Sequence, residues 1–142
     1  MADIQGFLFD FSRVNDFFDL WNNVFKTTEM TGANNFQLVF CTDSPTNIQD
    51  CLTGGKLNNR VTIADGGVID CGLTWRNETI TLSSDAVFNI GDAELSLKAV
   101  FLRHKASQTV IGYSININAF DVTNEVIYDE GTTFWSIFDE GR

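Results

Sequence analysis

The chain has 142 residues, with 19 acidic against 9 basic side chains and a formal charge of −10. This length fits one domain with a hydrophobic core, so residues 1–142 are predicted to form a single domain. The acidic excess leaves no basic face to displace phosphate counterions, which argues against nucleic-acid binding. The longest apolar runs are about four residues, against the roughly 20 that span a bilayer, so no membrane partner is expected.

The chain start and the cysteines both indicate a reducing compartment. Residues 1–5 lack the cationic and apolar regions of a secretory signal, so the protein is expected to stay in the cytoplasm where it is made. Cys41, Cys51 and Cys71 form no C-x-x-C pair, and their odd number predicts three small buried thiols. A zinc site would need a fourth ligand, and His104, the one histidine, lies far along the chain, so no metal is expected.

Residues 1–27 are predicted to form an N-terminal helical segment. Its apolar side chains recur at alternating steps of four and three, which lays one stripe along a helix, and they are Phe7, Phe11, Val14, Phe18, Trp21 and Phe25. Ser12 can cap an amphipathic helix over residues 13–26, whereas residues 7–11 also alternate as in a strand. The stripe can pack on the protein's own sheet or on another subunit. Its candidate partner contacts are Phe7, Phe11, Phe18 and Trp21.

Residues 36–139 are predicted to form an antiparallel β-sandwich, of the immunoglobulin-like or jelly-roll-like kind. The sandwich begins with a strand over residues 36–41, which is dense in β-formers and stops at a turn set by Pro45. Residues 47–59 show the least pattern and are predicted to be an ordered loop. Within that loop, Gly54-Gly55-Lys56 lacks the spacing and the following Ser or Thr of a phosphate loop.

Short strands recur through the rest of the chain at the spacing typical of a sandwich. They are predicted over residues 60–63, 67–75, 78–83, 86–90, 126–128 and 132–138. Glycine-containing runs at residues 65–67 and 91–92 are predicted to break them as turns. Many short strands with turn signals between them indicate an all-β fold.

The clearest strand signal is a long β-hairpin over residues 94–119, with its tip at residues 104–108. On the first arm, one face is predicted to carry Leu95, Leu97, Ala99 and Phe101, and the other Val100 and Leu102. Because the second half of this arm is apolar on both sides, the arm is predicted to be a central strand. On the second arm, the predicted core face carries Ile111, Tyr113, Ile115 and Ile117. Ser114 is therefore predicted to face water.

Arg103, His104 and Lys105 form a dense basic cluster on this acidic chain, at the predicted tip. They are candidate contacts for an acidic neighbour, the alternative being a merely solvated tip. The flanking charges make an exposed His104 a poor base, so no nucleophilic site is predicted. The carboxylates single out no catalytic pair, so neither enzymatic activity nor a cofactor is predicted.

Two other binding chemistries, for calcium and for sugars, are less well matched by the sequence than simple structural roles. The Asp-Glu-Gly triplets at residues 129–131 and 139–141 lack the alternate-oxygen spacing of a calcium loop and are predicted to be turns. The side chains of Trp21, Trp75 and Trp135 are more typical of core than of a sugar-binding platform.

A resemblance to a known class rests on the order of four segments that follow the apolar helix. They are FQLVFCTDSP at residues 36–45, GVIDCGLTW at 67–75, the hairpin VFL and VIGY at 100–113, and the closing strands at 126–138. In this order the chain resembles small β-rich virion proteins of tailed bacteriophages. The similar proteins are those encoded near the major capsid protein and counted as head decoration, cement or auxiliary proteins.

The resemblance implies a non-enzymatic structural protein that binds and stabilises the capsid shell, with the virion as its location. Its expected partners are the major capsid protein, other virion proteins or further copies of itself. Binding is expected through extended strands, loops and terminal segments, and no catalytic residue is carried over. The alternatives are a neck or tail component, or a free-standing ligand-binding β-sandwich module.

Overall fold

A computed structural model describes residues 2–3, 34–76, 79–131 and 133–136. This part of the chain is mainly β, as predicted, and its one helix is α1, the four-residue segment Ile48–Cys51. The helix predicted over residues 13–26 lies outside the described residues. So do the proposed contacts Phe7, Phe11, Phe18 and Trp21.

Five strands form the larger sheet, in the order β1-β9-β8-β2-β5. Their bounds are β1 Ala2–Asp3, β2 Phe36–Asp43, β5 Thr62–Cys71, β8 Ala86–His104 and β9 Val110–Tyr128. Neighbouring strands run antiparallel, except that β1 lies parallel to β9. The predicted hairpin is therefore confirmed as β8 and β9, and its first arm is the central strand of the sheet.

Two smaller sheets complete the described fold. The three-stranded sheet consists of β6 Leu73–Arg76, β7 Thr79–Leu82 and β10 Thr133–Ser136, with β7 in the middle. The two-stranded sheet consists of β3 Leu52–Thr53 and β4 Lys56–Leu57. The single strand predicted over residues 67–75 is divided at Gly72, because β5 ends there and β6 enters a different sheet.

The prediction of a loop over residues 47–59 is wrong, because this segment holds α1 and the β3–β4 hairpin. The Asn47 side chain caps α1 by accepting a hydrogen bond from the Asp50 backbone N–H at 3.2 Å. Gly54 and Gly55 supply the positive φ angles, 61° and 80°, that turn the chain between β3 and β4. The cap and the glycine pair were visible in the sequence, but each element is too short to produce a periodic pattern.

The breaks predicted at residues 65–67 and 91–92 are also wrong, because β5 and β8 run through them. The strand pairing shifts register at both places, as in β-bulges. Gly66 and Gly91 have φ angles of 70° and 85° there. Positive φ lets a glycine make a bulge as readily as a turn. The separate strand predicted over residues 126–128 is likewise the end of β9.

Two hydrophobic cores cover the larger sheet, one on each face. The first core consists of Phe36, Leu38, Phe40, Ala64, Cys71, Leu73, Leu82, Ala86, Phe88, Leu97, Val100, Leu102, Val122, Val126 and Tyr128. The second core consists of Val39, Cys41, Ile48, Cys51, Val61, Ala99, Phe101 and Val110. Since successive side chains of a strand point to opposite faces, β2 and β8 supply residues to both cores. The prediction that the second half of the first hairpin arm is apolar and buried on both sides is confirmed.

The hairpin departs from the predicted faces at two places. Leu97 belongs to the first core and Ala99 to the second, because the β8–β9 pairing shifts register between them. The prediction that they share a face is therefore wrong. Ser114 is also not on a wet face: it is 4% exposed and pairs with Val100 of the first core. The side chains of Ile111 and Ile117 lie outside the described part.

Ser114 shows why the predicted wet face of the second arm is wrong. Tyr113 and Ile115 are only partly buried and pack against the edge of the second core. Both faces of this arm thus lie over a core, so the alternation of apolar and polar residues cannot distinguish a buried face from a wet one.

Replacing Gly67 with alanine is expected to lower the free energy of unfolding by about 1–3 kcal/mol, because the bulge of β5 has no room for a methyl group. A Cβ there would lie 2.9 Å from the carbonyl oxygens of both Ala64 and Phe40. Urea unfolding measures the loss. The matched control is Asp65→Ala, an exposed site two positions away, with an expected change within about 0.5 kcal/mol. Equal small losses at both sites would show that the bulge opens without cost.

Candidate functional site

Strand β5 is the described edge of the larger sheet opposite β1, and we call Thr62–Cys71 the β5 edge. In the described part of the chain it pairs only with β2, so no described strand takes up the backbone N–H and C=O groups on its other side. Two of its large apolar side chains are exposed, Ile63 at 41% and Val68 at 37%. An edge strand with exposed apolar side chains is a template for pairing with another chain.

A row of polar side chains runs across the sheet to the β5 edge. Gln37 of β2 pairs with Arg103 of β8 on one side and with Asp70 of β5 on the other. Arg103 Nε donates to Gln37 Oε1 at 2.9 Å, and Gln37 Nε2 donates to Asp70 Oδ1 at 3.0 Å. Lys105 Nζ completes the row with an ion pair to Asp70 Oδ2 at 2.8 Å. We call these four residues the polar row.

Hydrogen bonding and burial shift the pKa values of two members of the polar row, Asp70 and Arg103. The hydrogen bond from Lys105, followed by the one from Gln37, lowers the pKa of the Asp70 carboxyl from its ordinary value of 3.8. Burial lowers the pKa of the Arg103 guanidinium. The polar row therefore holds the Asp70 carboxylate at the β5 edge, where Lys105 of the same chain neutralises its charge.

The Asp70–Lys105 pair is expected to stabilise the protein at neutral pH and to lose its effect in acid. Because the folded pKa of Asp70 is lowered, the stabilisation is complete above 3.8 and is lost as pH falls through the folded value. A double-mutant cycle with Asp70→Asn and Lys105→Gln should give a coupling of about 0.2–1 kcal/mol near pH 7, since both side chains are nearly half exposed. The coupling should vanish once the pH falls below the folded pKa of Asp70. A coupling that persists in acid would contradict an ionic interaction.

The predicted solvent-exposed tip is wrong for His104, which ends β8 and is 4% exposed. Its Nδ1 lies 2.9 Å from Ser107 Oγ and accepts from the Ser107 backbone N–H at 3.3 Å. Its ring packs edge-on against Phe36, with centroids 5.4 Å apart. The basic cluster is thus divided, because Arg103 and Lys105 belong to the polar row. Contacts of Arg103, His104 and Lys105 with a partner stay a prediction.

The three cysteines are free and buried, as predicted. Burial raises the pKa of the Cys41 and Cys71 thiols to about 12 and that of Cys51 to about 11. At neutral pH all three are therefore protonated, which is the unreactive form of a thiol. No group of three or more His, Cys, Asp or Glu side chains within the described ranges is placed to hold a metal ion. No described helix is long and apolar enough to span a membrane.

A groove of about 410 Å³ lies beside the β5 edge, and we call it the acidic groove. Asp65 and Gly66 of β5 form one side. The other side is formed by residues of β8, namely Phe88, Asn89, Ile90, Glu94 and Leu95. The bulges at Gly66 and Gly91 shape both walls, because each redirects its strand next to the groove.

The chain matches no protein-family model, no curated protein and no solved structure. The resemblance to virion proteins of tailed phages therefore stays a prediction.

Sequence analysis missed the polar row and the β5 edge. Gln37 was one signal, because it is the single strongly polar residue in the apolar run of β2. A buried polar side chain needs a hydrogen-bonding partner, but the pattern of β2 does not reveal which residues provide it. The edge position of β5 depends on strand order, which periodicity does not encode.

Proposed function

We propose that this protein is a non-enzymatic structural protein that binds another protein along the β5 edge. The observation that carries the proposal is the exposure of Ile63 and Val68 on an edge strand. In strand addition, backbone hydrogen bonds supply affinity and alternate side chains supply specificity. Both requirements can be met along Thr62–Cys71, a ten-residue strand that is extended on either side of its bulge at Gly66.

The proposed setting is the virion of a tailed bacteriophage, where the protein would be a head decoration or auxiliary protein bound to the capsid shell. This part of the proposal is supported by the resemblance of the four ordered segments, and by an edge strand suited to adhesion. The proposed partner is the major capsid protein. A neck or tail position is the alternative within the virion.

The finer fold that accompanies this proposal is a β-sandwich with an amphipathic N-terminal helix. Support for the sandwich comes from the first core, which joins Leu73 and Leu82 of the three-stranded sheet to Phe36 and Phe40 of the larger sheet. Shared burial of this kind is what two facing sheets require.

The test is the occupancy of the protein on phage particles assembled from the genome that encodes it. Val68→Lys places a charge on the β5 edge and should lower occupancy by about tenfold or more. Val87→Lys is the matched control, because Val87 has a similar exposure of 39% on β8, away from this edge. It should leave occupancy within about twofold of wild type.

Two outcomes would overturn the proposal. If both lysine variants decorate particles like wild type, the β5 edge is not the contact. If electron microscopy of particles carrying the labelled protein finds no density, the protein is not a virion component. Label at the neck or tail would replace the head assignment with the alternative position.

A further inference from the structure

The acidic groove pairs an apolar base with carboxylates at its rim. Phe88 is 3% exposed, and Ile90 and Leu95 are partly buried and pack against the first core. Asp65 and Glu94 are exposed on opposite sides of the groove. A ligand that fits must therefore combine an apolar length with a hydrogen-bonding or charged end.

The carboxylates of the groove have no basic partner within the described part of the chain. The ion pairs found there join Arg60 to Asp50 and Lys105 to Asp70. Asp70 therefore resembles Asp65 in position on the β5 edge but differs in being neutralised. As far as the described residues go, the charge at Asp65 and Glu94 is left for a cationic group from outside.

Charge complementarity decides between the possible occupants. A second copy of this chain would bring another net charge of −10 to the same surface, and like charges brought together at an interface are disfavoured. A basic partner is attracted by the net charge and by both carboxylates. Lysine and arginine side chains also carry the apolar stem that the base of the groove can cover.

We propose that the acidic groove binds a lysine or arginine side chain on an extended segment of the partner protein. The stem lies on Phe88, Ile90 and Leu95, and the cationic head reaches Asp65 and Glu94. This inference rests on the proposed function, because Asp65 and Gly66 belong to the β5 edge along which the partner strand pairs. The proposal therefore requires a partner segment that is basic and can form a β-strand.

The experiment titrates the full-length chain, labelled with nitrogen-15, with three synthetic peptides at low ionic strength. The first peptide is acetyl-Thr-Lys-Val-Lys-Val-Lys-Thr-amide. The second has each lysine acetylated on its side-chain nitrogen, which removes the charge and keeps the stem. The third has glutamate in place of lysine. Amide chemical shifts of Asp65, Gly66 and Glu94 report groove occupancy, and amide hydrogen exchange along β5 reports strand pairing.

The lysine peptide is expected to shift the groove amides and to bind about tenfold or more tightly than the acetylated peptide. Affinity should fall as salt is added, because the contacts are solvent-accessible charges. Glu94→Gln should weaken binding of the lysine peptide by about fivefold, and Asp65→Asn by a similar factor. Glu130→Gln is the matched control, since it removes the same charge from an exposed residue outside the groove and should change affinity less than twofold.

The proposal is overturned if the lysine and acetylated peptides bind equally, or if Glu130→Gln weakens binding as much as Glu94→Gln. The first result would show that charge is irrelevant, and the second that only net charge matters. Self-association that competes with the lysine peptide, measured by sedimentation velocity, would instead assign the groove to a second copy. Groove shifts without protection of β5 amides would overturn the strand pairing of the proposed function and leave the basic-side-chain site standing.

Discussion

Replacing Phe101 with alanine is expected to lower the free energy of unfolding by about 3–5 kcal/mol. The Phe101 side chain is fully buried on the central strand β8, within the second core. Its removal leaves a cavity between β8 and the segment that carries Ile48 and Cys51, and a small cluster of this kind has few side chains that can close it. Urea denaturation followed by circular dichroism gives the change, provided that the slope with denaturant is unchanged.

Ile115 provides the comparison, because it packs against the same core but is only partly buried. Ile115→Ala should cost about 1–2 kcal/mol, in proportion to the smaller apolar area that it buries. A loss at Ile115 as large as that at Phe101 would mean that the edge of the second core is more tightly covered than the described residues show.

The second large effect is expected for Phe40→Ala, which should also destabilise the protein by about 3–5 kcal/mol. Phe40 is fully buried in the first core, with ring centroids 5.0 Å from Phe88 and 6.3 Å from Tyr128. The variant therefore loses both buried area and two aromatic contacts. Phe40→Leu keeps most of the volume and should cost less than Phe40→Ala, about 1.5 kcal/mol. Thermal unfolding distinguishes the two variants, and equal losses would indicate that the ring geometry, not the cavity, dominates.

Much of the fold was predictable where the local pattern and the tertiary environment agree. The hairpin arms, the burial of residues 99–102 of β8 on both faces and the three buried thiols follow from residue types that suit only one environment. The pattern fails at Ser114, because a period of two identifies two faces but does not say what covers each. It fails at Gly66 and Gly91 because a glycine with positive φ serves a turn and a bulge equally well.

The candidate site was less predictable than the fold, because long-range pairing creates it. Gln37 is 33 positions from Asp70 and 66 positions from Arg103, yet hydrogen bonds join all three. The charges of Arg103 and Lys105 suggested a free basic surface, but the register of β2 and β5 brings an acceptor to each of them. The local sequence pattern does not encode the register in which these strands pair.

The short connection between β8 and β9 has a consequence for the order in which the protein folds. Five residues, 105–109, join two strands of 19 residues each. Closing so short a loop costs little conformational entropy before the two strands begin to pair. Hairpins of this kind form in about 1–10 μs, whereas β2 must return from a distant part of the chain. Changes at the tip should therefore act on the folding rate, and changes in β5 on the unfolding rate. The β5 edge, which is proposed to bind the partner, would then form late during folding and separate early during unfolding. The β8–β9 hairpin would already be in place when it forms.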